Sequence, residues 1–247
     1  LSSENPMINI VTDYVYVENI ESASTYETTS PFTFYVSPDA EITSYPLSLY
    51  ITAGGGYENE FTIDLSVSLD QENFPVNLSG QVKASPVVFD NNIFIGDYSG
   101  IIHKYDMYGN EDSTGVFPFD TGDQIWGSLA ASDIDLDGNL DVLVSSKSKH
   151  LYAFDVNGLK FDYDAASWLM ATPAIGQLDL DPELEIVVPG YSSSGKKIYA
   201  VNHDGTNVSG FPVDVGERMI AGVALHDFNN NGKDDIVFGS DSDNISL

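Results

Sequence analysis

Oxygen-bearing side chains recur at alternate positions in the stretch 133–141, which reads Asp-Ile-Asp-Leu-Asp-Gly-Asn-Leu-Asp. Calcium binds six to eight oxygen ligands, and a tightly coiled loop can point alternate side chains at one centre. Gly138 permits the backbone turn, and the carbonyl of the seventh residue can add a ligand. We expect Ile134 and Leu136 to point away, into neighbouring packing. The sequence thus predicts a calcium site with five ligands: Asp133, Asp135, Asp137, Asn139 and Asp141.

The surroundings of this stretch differ from those of an EF-hand. The twelfth position of the frame is Val144 instead of glutamate, and no helical pattern flanks the loop. We therefore place the loop in a β-hairpin, with Asp141 as the closing ligand.

Two further stretches share the frame. The stretch 227–235 reads Asp-Phe-Asn-Asn-Asn-Gly-Lys-Asp-Asp, and its smaller number of carboxylates predicts weaker binding. In the stretch 177–185, Pro182 stands where the other two have glycine and fixes a negative φ, so metal binding there stays open. The candidate ligands are Asp227, Asn229, Asn231, Lys233 and Asp235 in one stretch, and Asp179, Asp181 and Glu185 in the other.

These stretches belong to an internal repeat. The anchor residues Phe74, Phe117, Phe161 and Phe211 are 43, 44 and 50 residues apart, and each unit contains three or four short apolar strands. A four-stranded repeat of about 45 residues is typical of a β-propeller blade. We predict about three and a half blades over residues 71–247, which form an incomplete propeller.

Residues 1–70 show a different pattern. Apolar and polar residues alternate in 32–36, 47–51 and 61–69, with turn residues between them. This alternation predicts four or five antiparallel strands of a partial β-sandwich. The expected fold is all-β: a partial sandwich at 1–70, followed by propeller blades at 71–247.

Composition excludes several partners. Lys and Arg number 9 against 38 Asp and Glu, giving a net charge of -29, which repels phosphate backbones and makes nucleic acid an unsuitable partner. The longest apolar runs fall short of the 18 residues of a membrane span, so we expect no membrane insertion. The lack of cysteine and the acidity suit a secreted or cell-surface protein of a bacterium or archaeon. We expect the chain to be an internal fragment of a longer protein.

The repeat resembles the FG-GAP/VCBS-type propeller repeats, the family of the integrin α-subunit propeller. The resemblance is carried by the loops 133–141 and 227–235, by the strands that follow them, and by the ending at 152–158. It implies a propeller of seven or a similar number of blades, whose Ca²⁺ ions staple the hairpins. The stretch 32–69 also resembles the end of the Ig-like sandwiches that flank such propellers in large bacterial secreted proteins.

These observations favour an extracellular calcium-binding module for adhesion, ligand binding or surface scaffolding. Its expected partner is a protein or carbohydrate at the cell surface, and self-assembly is a further expectation. The alternative is a non-catalytic accessory region of a secreted peptidase or polysaccharide-degrading enzyme. We expect no catalytic centre, because the sequence has neither a paired-histidine motif nor a Gly-x-Ser-x-Gly elbow. Trp126 and Trp168 stand at equivalent places before the second strand of adjacent repeats, which fits either core packing or stacking on sugars.

Overall fold

The computed structural model describes residues 1–17, 20, 24–25, 27–69, 71, 73–113, 115–192, 196–241 and 245–247. These residues form 19 strands and no helix, which confirms the predicted all-β class. In the described part of the chain, no helix is long and apolar enough to cross a membrane. The chain divides into two compact units, Leu1–Gln71 and Glu72–Leu247.

The first unit consists of two antiparallel hairpin-like pairs. Strand β1 (Ile8–Thr12) pairs with β2 (Thr33–Val36), and β3 (Ser44–Ala53) pairs with β4 (Tyr57–Ser66). A small core of Ile8, Tyr45 and Leu47 is buried, whereas β4 is exposed along almost its whole length. Four strands agree in number with the expectation, and membership of an Ig-like sandwich stays a prediction.

The second unit is β-propeller-like, because it consists of successive antiparallel sheets in which each strand pairs with the next along the chain. We call these sheets blades 1 to 4. Blade 1 comprises β5 (Val87–Phe89), β6 (Asn92–Gly96), β7 (Ile101–Asp106) and β8 (Phe119–Asp120). Blade 2 comprises β9 (Ala130–Ser132), β10 (Asp141–Ser145), β11 (His150–Asp155) and β12 (Gly158–Asp164). Blade 3 comprises β13 (Ala174–Gly176), β14 (Glu185–Pro189), β15 (Lys197–Val201) and β16 (Val213–Asp214). Blade 4 comprises β17 (Ala224–His226), β18 (Asp235–Gly239) and β19 (Ile245–Ser246).

The blades are offset by one strand from the sequence repeat. The segment after Phe117 opens the second sequence unit, yet its strand β8 pairs with β7 and completes blade 1. In the same way the segment after Phe211 provides β16, the last strand of blade 3. Each sequence unit after the first thus supplies the outer strand of the preceding sheet, because that strand continues the antiparallel meander already begun.

The core lies between neighbouring blades. Along β10, Val142 and Val144 pack with residues of blade 1, while Leu143 packs with residues of blade 3. Strand β14 repeats this pattern, with Ile186 and Val188 facing blade 2 and Val187 facing blade 4. The second strands of blades 2 and 3 are buried at every position, which explains why they appear in sequence as continuous apolar runs. This packing fixes the hairpin loops that precede these strands.

Candidate metal centres

The three candidate stretches occupy the same place in successive blades. Loop A (133–141), loop B (177–185) and loop C (227–235) each lead from the first strand of a blade into the second. Hydrogen bonds connect them across blades: the Leu184 N–H donates to the Ile134 carbonyl at 2.9 Å, and the Asp234 N–H donates to the Gln177 carbonyl at 2.7 Å. The loops therefore form a row along one end of the blades.

All three loops have the same backbone turn at their fourth residue. Leu136, Leu180 and Asn230 have φ of 58°, 80° and 58°, in the left-handed region. Loops A and C have a second such residue, the glycine at position six, whereas loop B has Pro182 there. Loop B still closes, because the turn at the fourth position does not depend on that glycine.

Ile134 and Leu136 were both predicted to pack against neighbours of loop A, and only one of them does. Ile134 is fully buried between blades 2 and 3, as predicted. Leu136 is 54 % exposed, so the prediction that it packs against neighbours was wrong. Its left-handed backbone turns the side chain out of the hairpin, a consequence that alternation alone does not reveal.

Loop A brings together three of its five predicted ligands. Carboxylate oxygens of Asp133, Asp135 and Asp141 all lie within 4.8 Å of one another. Asp133 also accepts the N–H groups of Asp137 at 3.0 Å and Gly138 at 2.9 Å. The carboxylate of Asp137 is used differently, since it accepts the backbone N–H of Asn139 at 2.8 Å and its amide at 3.0 Å.

A lysine that sequence reasoning missed points into loop A. The Lys160 ammonium lies 2.5 Å from Asp135 Oδ2 and 3.1 Å from Asp141 Oδ1. Burial alone would lower the pKa of Lys160, but these two carboxylates outweigh it and raise the pKa above its ordinary value. Burial raises the pKa of Asp141, which is almost fully enclosed, against the hydrogen bonds from Ile134 and Lys160. Loop A thus contains its own cation.

Loop B gathers its three predicted ligands, and no lysine is hydrogen-bonded to their carboxylates among the described residues. Oxygens of Asp179, Asp181 and Glu185 lie within 4.8 Å of one another. Burial raises the pKa of Glu185, and the neighbouring Asp179 and Asp181 raise it further, against hydrogen bonds from backbone N–H groups. The Gln177 side-chain oxygen accepts the N–H groups of Asp179 at 3.0 Å and Leu180 at 2.7 Å, which ties the turn together.

Loop C has only two carboxylates among its five predicted ligands. Asp227 accepts the N–H groups of Asn231 at 3.1 Å and Gly232 at 2.8 Å, as Asp133 does in loop A. The Asn229 amide donates to Asp235 at 3.2 Å, so it stands beside the closing carboxylate. The Asn231 side chain accepts the N–H of Lys233, the seventh residue of the loop, at 2.8 Å.

The acidic trios of loops A and B fit the size of a calcium site. Two oxygens bound to one Ca²⁺ at about 2.3–2.6 Å cannot lie more than about 5 Å apart, and the observed limit of 4.8 Å satisfies this condition. Carboxylate oxygens are also the hard ligands that calcium prefers. Loop B meets these conditions with three carboxylates, whereas an ion in loop A would have to displace the Lys160 ammonium.

The two tryptophans are not equivalent, contrary to the sequence alignment. A hydrogen bond that recurs between blades defines the register: the N–H of Lys147 donates to the Gln124 carbonyl, and that of Tyr191 donates to the Trp168 carbonyl. Trp168 therefore corresponds to Gln124, and Trp126 lies two positions later. The anchor spacing carries the same difference: each first strand begins 13 residues after its phenylalanine, whereas Trp126 follows Phe117 by nine residues and Trp168 follows Phe161 by seven.

Comparison with known proteins gives a limited result. No family model matches this chain, and no curated protein matches it. Crystal structures of BBS1N in complex with ARL6DN, soaked with lead or with mercury, are similar to 68 % and 88 % of this chain, at 11 % identity and TM-scores of 0.48 and 0.44. The crystal structure of BamB from Moraxella catarrhalis is similar to 83 % of this chain, at 18 % identity and a TM-score of 0.33. The matched parts are 51 %, 66 % and 70 % of those chains, so this chain spans about half the length of the first.

Proposed function

We propose that this chain is a non-catalytic, calcium-binding module of the FG-GAP/VCBS type that works outside the cell as a binding or scaffold element. Its blades present one row of loops for Ca²⁺ and leave the opposite end for a partner. The proposed partner is a protein or carbohydrate at a cell surface. The single observation that supports the proposal is the pair of matching carboxylate trios in loops A and B, at the same position of adjacent blades.

The chemistry of these trios favours a cation. Three carboxylates held within 4.8 Å repel one another, and burial increases the cost of their charges. The raised pKa of Glu185, which burial and its acidic neighbours cause, reflects this repulsion. A bound Ca²⁺ would remove the cost and so couple binding to folding. Exposed loops of this kind would be filled by the millimolar calcium of extracellular fluids.

Calcium-dependent stability tests the proposal. We expect the protein, after EDTA treatment and dialysis, to show a higher melting temperature when millimolar CaCl₂ is added. At a hundredfold excess over Kd, one bound ion stabilises by about 2.7 kcal/mol, which is about 5–10 °C for a domain of this size. Bound metal is measured in parallel by elemental analysis. A melting curve indifferent to calcium, in protein that retains no metal, would contradict the proposal.

Matched substitutions in loop B assign the ligands. Asp179→Asn and Glu185→Gln should each lower the calcium affinity at least tenfold, because each removes a charged ligand of the trio. Glu183→Gln removes the same charge from the same loop, but Glu183 lies outside the trio, so it should change the affinity less. Equal losses in all three variants would show that the net charge of the loop, and not a defined site, attracts the ion.

A further inference from the structure

A row of alternating rings and cations runs across the end of the blades opposite to loops A, B and C. Lys83 Nζ lies 4.2 Å from the Tyr98 ring centre and 4.5 Å from the Trp126 ring centre. Lys147 Nζ then lies 5.7 Å from Trp126 and 5.1 Å from Trp168. These distances are within the range of cation–π attraction. We call Tyr98, Lys83, Trp126, Lys147 and Trp168 the aromatic–lysine row.

The row is at the opposite end because of the meander. In an antiparallel sheet, successive connections alternate between the two ends of the strands. Loops A to C join first to second strands, whereas Tyr98 and Lys147 lie in turns between second and third strands. Trp126 and Trp168 lie in the linkers between blades, which return to that same end. The calcium loops and the row thus occupy separate surfaces.

The row continues into blades 3 and 4. The Tyr191 N–H donates to the Trp168 carbonyl at 2.8 Å, and the Arg218 guanidinium lies 5.4 Å from the Tyr191 ring centre. Arg218 in turn is paired with Asp241 at 3.5 Å. The aromatic–lysine row therefore continues beyond Trp168 as a line of rings and cations that extends over all four blades.

Positive charge is concentrated at this end of an acidic molecule. Six of the nine basic residues lie in the turns and linkers here or at the strand end that adjoins them: Lys83, Lys147, Lys149, Lys196, Lys197 and Arg218. Several carboxylates at the same end are engaged in capping turns. Asp120, Asp164 and Asp214 each accept a backbone N–H two residues further on, at 2.7–2.9 Å. These hydrogen bonds hold the carboxylates in place without removing their charge. Because the six cations face a similar number of carboxylates in the turns and linkers, this end is much closer to neutral than the net charge of -29 suggests.

The side chains of the row are held in place but remain accessible. The Gln124 side-chain oxygen accepts both the Trp126 indole N–H and the Lys147 ammonium, each at 2.9 Å. Trp168 is 41 % exposed, and Lys83 is exposed as well. Side chains ordered before binding lose little entropy when a ligand arrives, which favours affinity.

We propose that the aromatic–lysine row binds an anionic polysaccharide that carries uronate groups. The exposed Trp168 would stack on the apolar face of a sugar ring, and Lys147, which lies between Trp126 and Trp168, would pair with a ring carboxylate. A polymer that repeats ring and carboxylate matches a surface that repeats ring and cation. This proposal rests on the proposed function, because it names the class of ligand that the binding module would take. It does not depend on calcium binding.

The geometry favours a glycan over an acidic peptide. An extended peptide would bind by adding a strand, which needs free backbone donors along an edge. The N–H groups of Tyr98, Lys147 and Tyr191 in this row already donate to carbonyls of the preceding linker, at 2.7, 3.0 and 2.8 Å. Binding at this surface therefore depends on side chains, as stacking on sugars does.

Affinity electrophoresis of the whole chain in native gels tests the proposal. Gels contain hyaluronan, which alternates a uronate with a neutral sugar, or neutral dextran, or poly-glutamate, at a fixed calcium concentration. We expect hyaluronan to retard the protein, dextran and poly-glutamate to leave it unchanged, and added NaCl to weaken the retardation. Trp168→Ala and Lys147→Met should raise the Kd for hyaluronan at least tenfold.

Controls use an aromatic residue and a lysine towards the other end of the blades. Tyr108→Ala removes an aromatic ring that is 64 % exposed, and Lys104→Met removes a lysine paired with Asp112; both should bind hyaluronan like the parent protein. Lys147→Arg keeps the positive charge and should bind hyaluronan with nearly the affinity of the parent protein, unlike Lys147→Met. Melting curves establish that each variant is folded.

Several outcomes would overturn the inference. They are no retardation by hyaluronan, equal losses in the control variants, or equal retardation by poly-glutamate with losses in the same variants, which would assign the row to an acidic protein. A lower melting temperature without any hyaluronan binding would show that the row only fastens blades together. Because Glu185→Gln affects calcium alone, its retention of hyaluronan binding separates failure of the calcium proposal from failure of this one.

Discussion

At the scale of single residues, Lys160 changes the interpretation of loop A. The loop has the more complete calcium sequence, with four aspartates and a glycine in the expected frame. Yet the Lys160 ammonium already forms ion pairs with Asp135 and Asp141. This lysine reaches the loop from strand β12, two strands away from β10 in the sheet, so its arrival depends on tertiary pairing. Loop B, with a proline and a less regular sequence, offers the carboxylate trio without a lysine partner.

Substitution of Lys160 should remove the ammonium from loop A and leave its carboxylates free to bind Ca²⁺. In EDTA, Lys160→Gln should lower the free energy of unfolding by about 3 kcal/mol, because it leaves the buried Asp141 without its partner. In calcium, the same variant should bind an ion in loop A more tightly than the parent protein, because no ammonium competes. Calorimetric titration measures the affinity. Lys104→Gln, which removes a more exposed lysine paired with Asp112, should change neither quantity as strongly. An unchanged affinity in Lys160→Gln would show that the ammonium does not compete with calcium.

At the scale of elements, the hairpin loops depend on one left-handed residue at their fourth position. Leu136 and Leu180 adopt this conformation although leucine disfavours it, whereas loop C uses Asn230, which tolerates it well. Leu136 gains little from packing, since more than half of its side chain is exposed. The backbone cost at this position is therefore not offset by burial.

Leu136→Asn should stabilise the protein. Asparagine relieves about 1 kcal/mol of backbone strain, and the melting temperature should rise by about 2–4 °C. Leu140→Asn makes the same chemical change in the same loop at a residue without positive φ, so it should give no such rise. The measurement is a thermal melt in EDTA, which keeps metal binding out of the comparison. A rise of the same size in Leu140→Asn would attribute the effect to side-chain polarity.

Some of these elements could be predicted from the sequence, and others could not. Apolar runs such as 141–145 and 185–189 located the second strands, since burial on both faces leaves a local signal. The trios of loops A and B follow from spacing within nine residues. The offset of β8 and β16 could not be predicted, because it depends on which distant strand each segment meets. The different positions of Trp126 and Trp168 could have been predicted, because they follow the anchors Phe117 and Phe161 by nine and seven residues. Local sequence patterns identify the strands and loops, but they do not show which sheet a strand joins.

At the scale of the whole molecule, a net charge of -29 on 247 residues acts on every other interaction. Carboxylates that cap turns and line loops repel one another over distances that salt controls, since the screening length falls from about 30 Å at 0.01 M to about 8 Å at 0.15 M. Self-repulsion of this kind destabilises a compact state.

Salt should therefore raise the melting temperature even without calcium. In EDTA, increasing NaCl from about 10 to about 150 mM should stabilise the protein, with the largest effect at the first additions. Choline chloride should give the same curve, because screening depends on ionic strength and not on the identity of the cation. A melting temperature independent of ionic strength would show that the negative charges are too dispersed, or too well neutralised by neighbours, to oppose folding.

The alternation of connections along each antiparallel sheet has a spatial consequence. A molecule anchored to a charged matrix through its indole-bearing side would hold its acidic hairpins towards the bulk liquid. Calcium ions could then bind to and dissociate from the loops while the protein stays attached to the matrix. Attachment would not depend on the calcium concentration of the surrounding liquid. Retention on the matrix and metal binding would then be independent properties of the second unit.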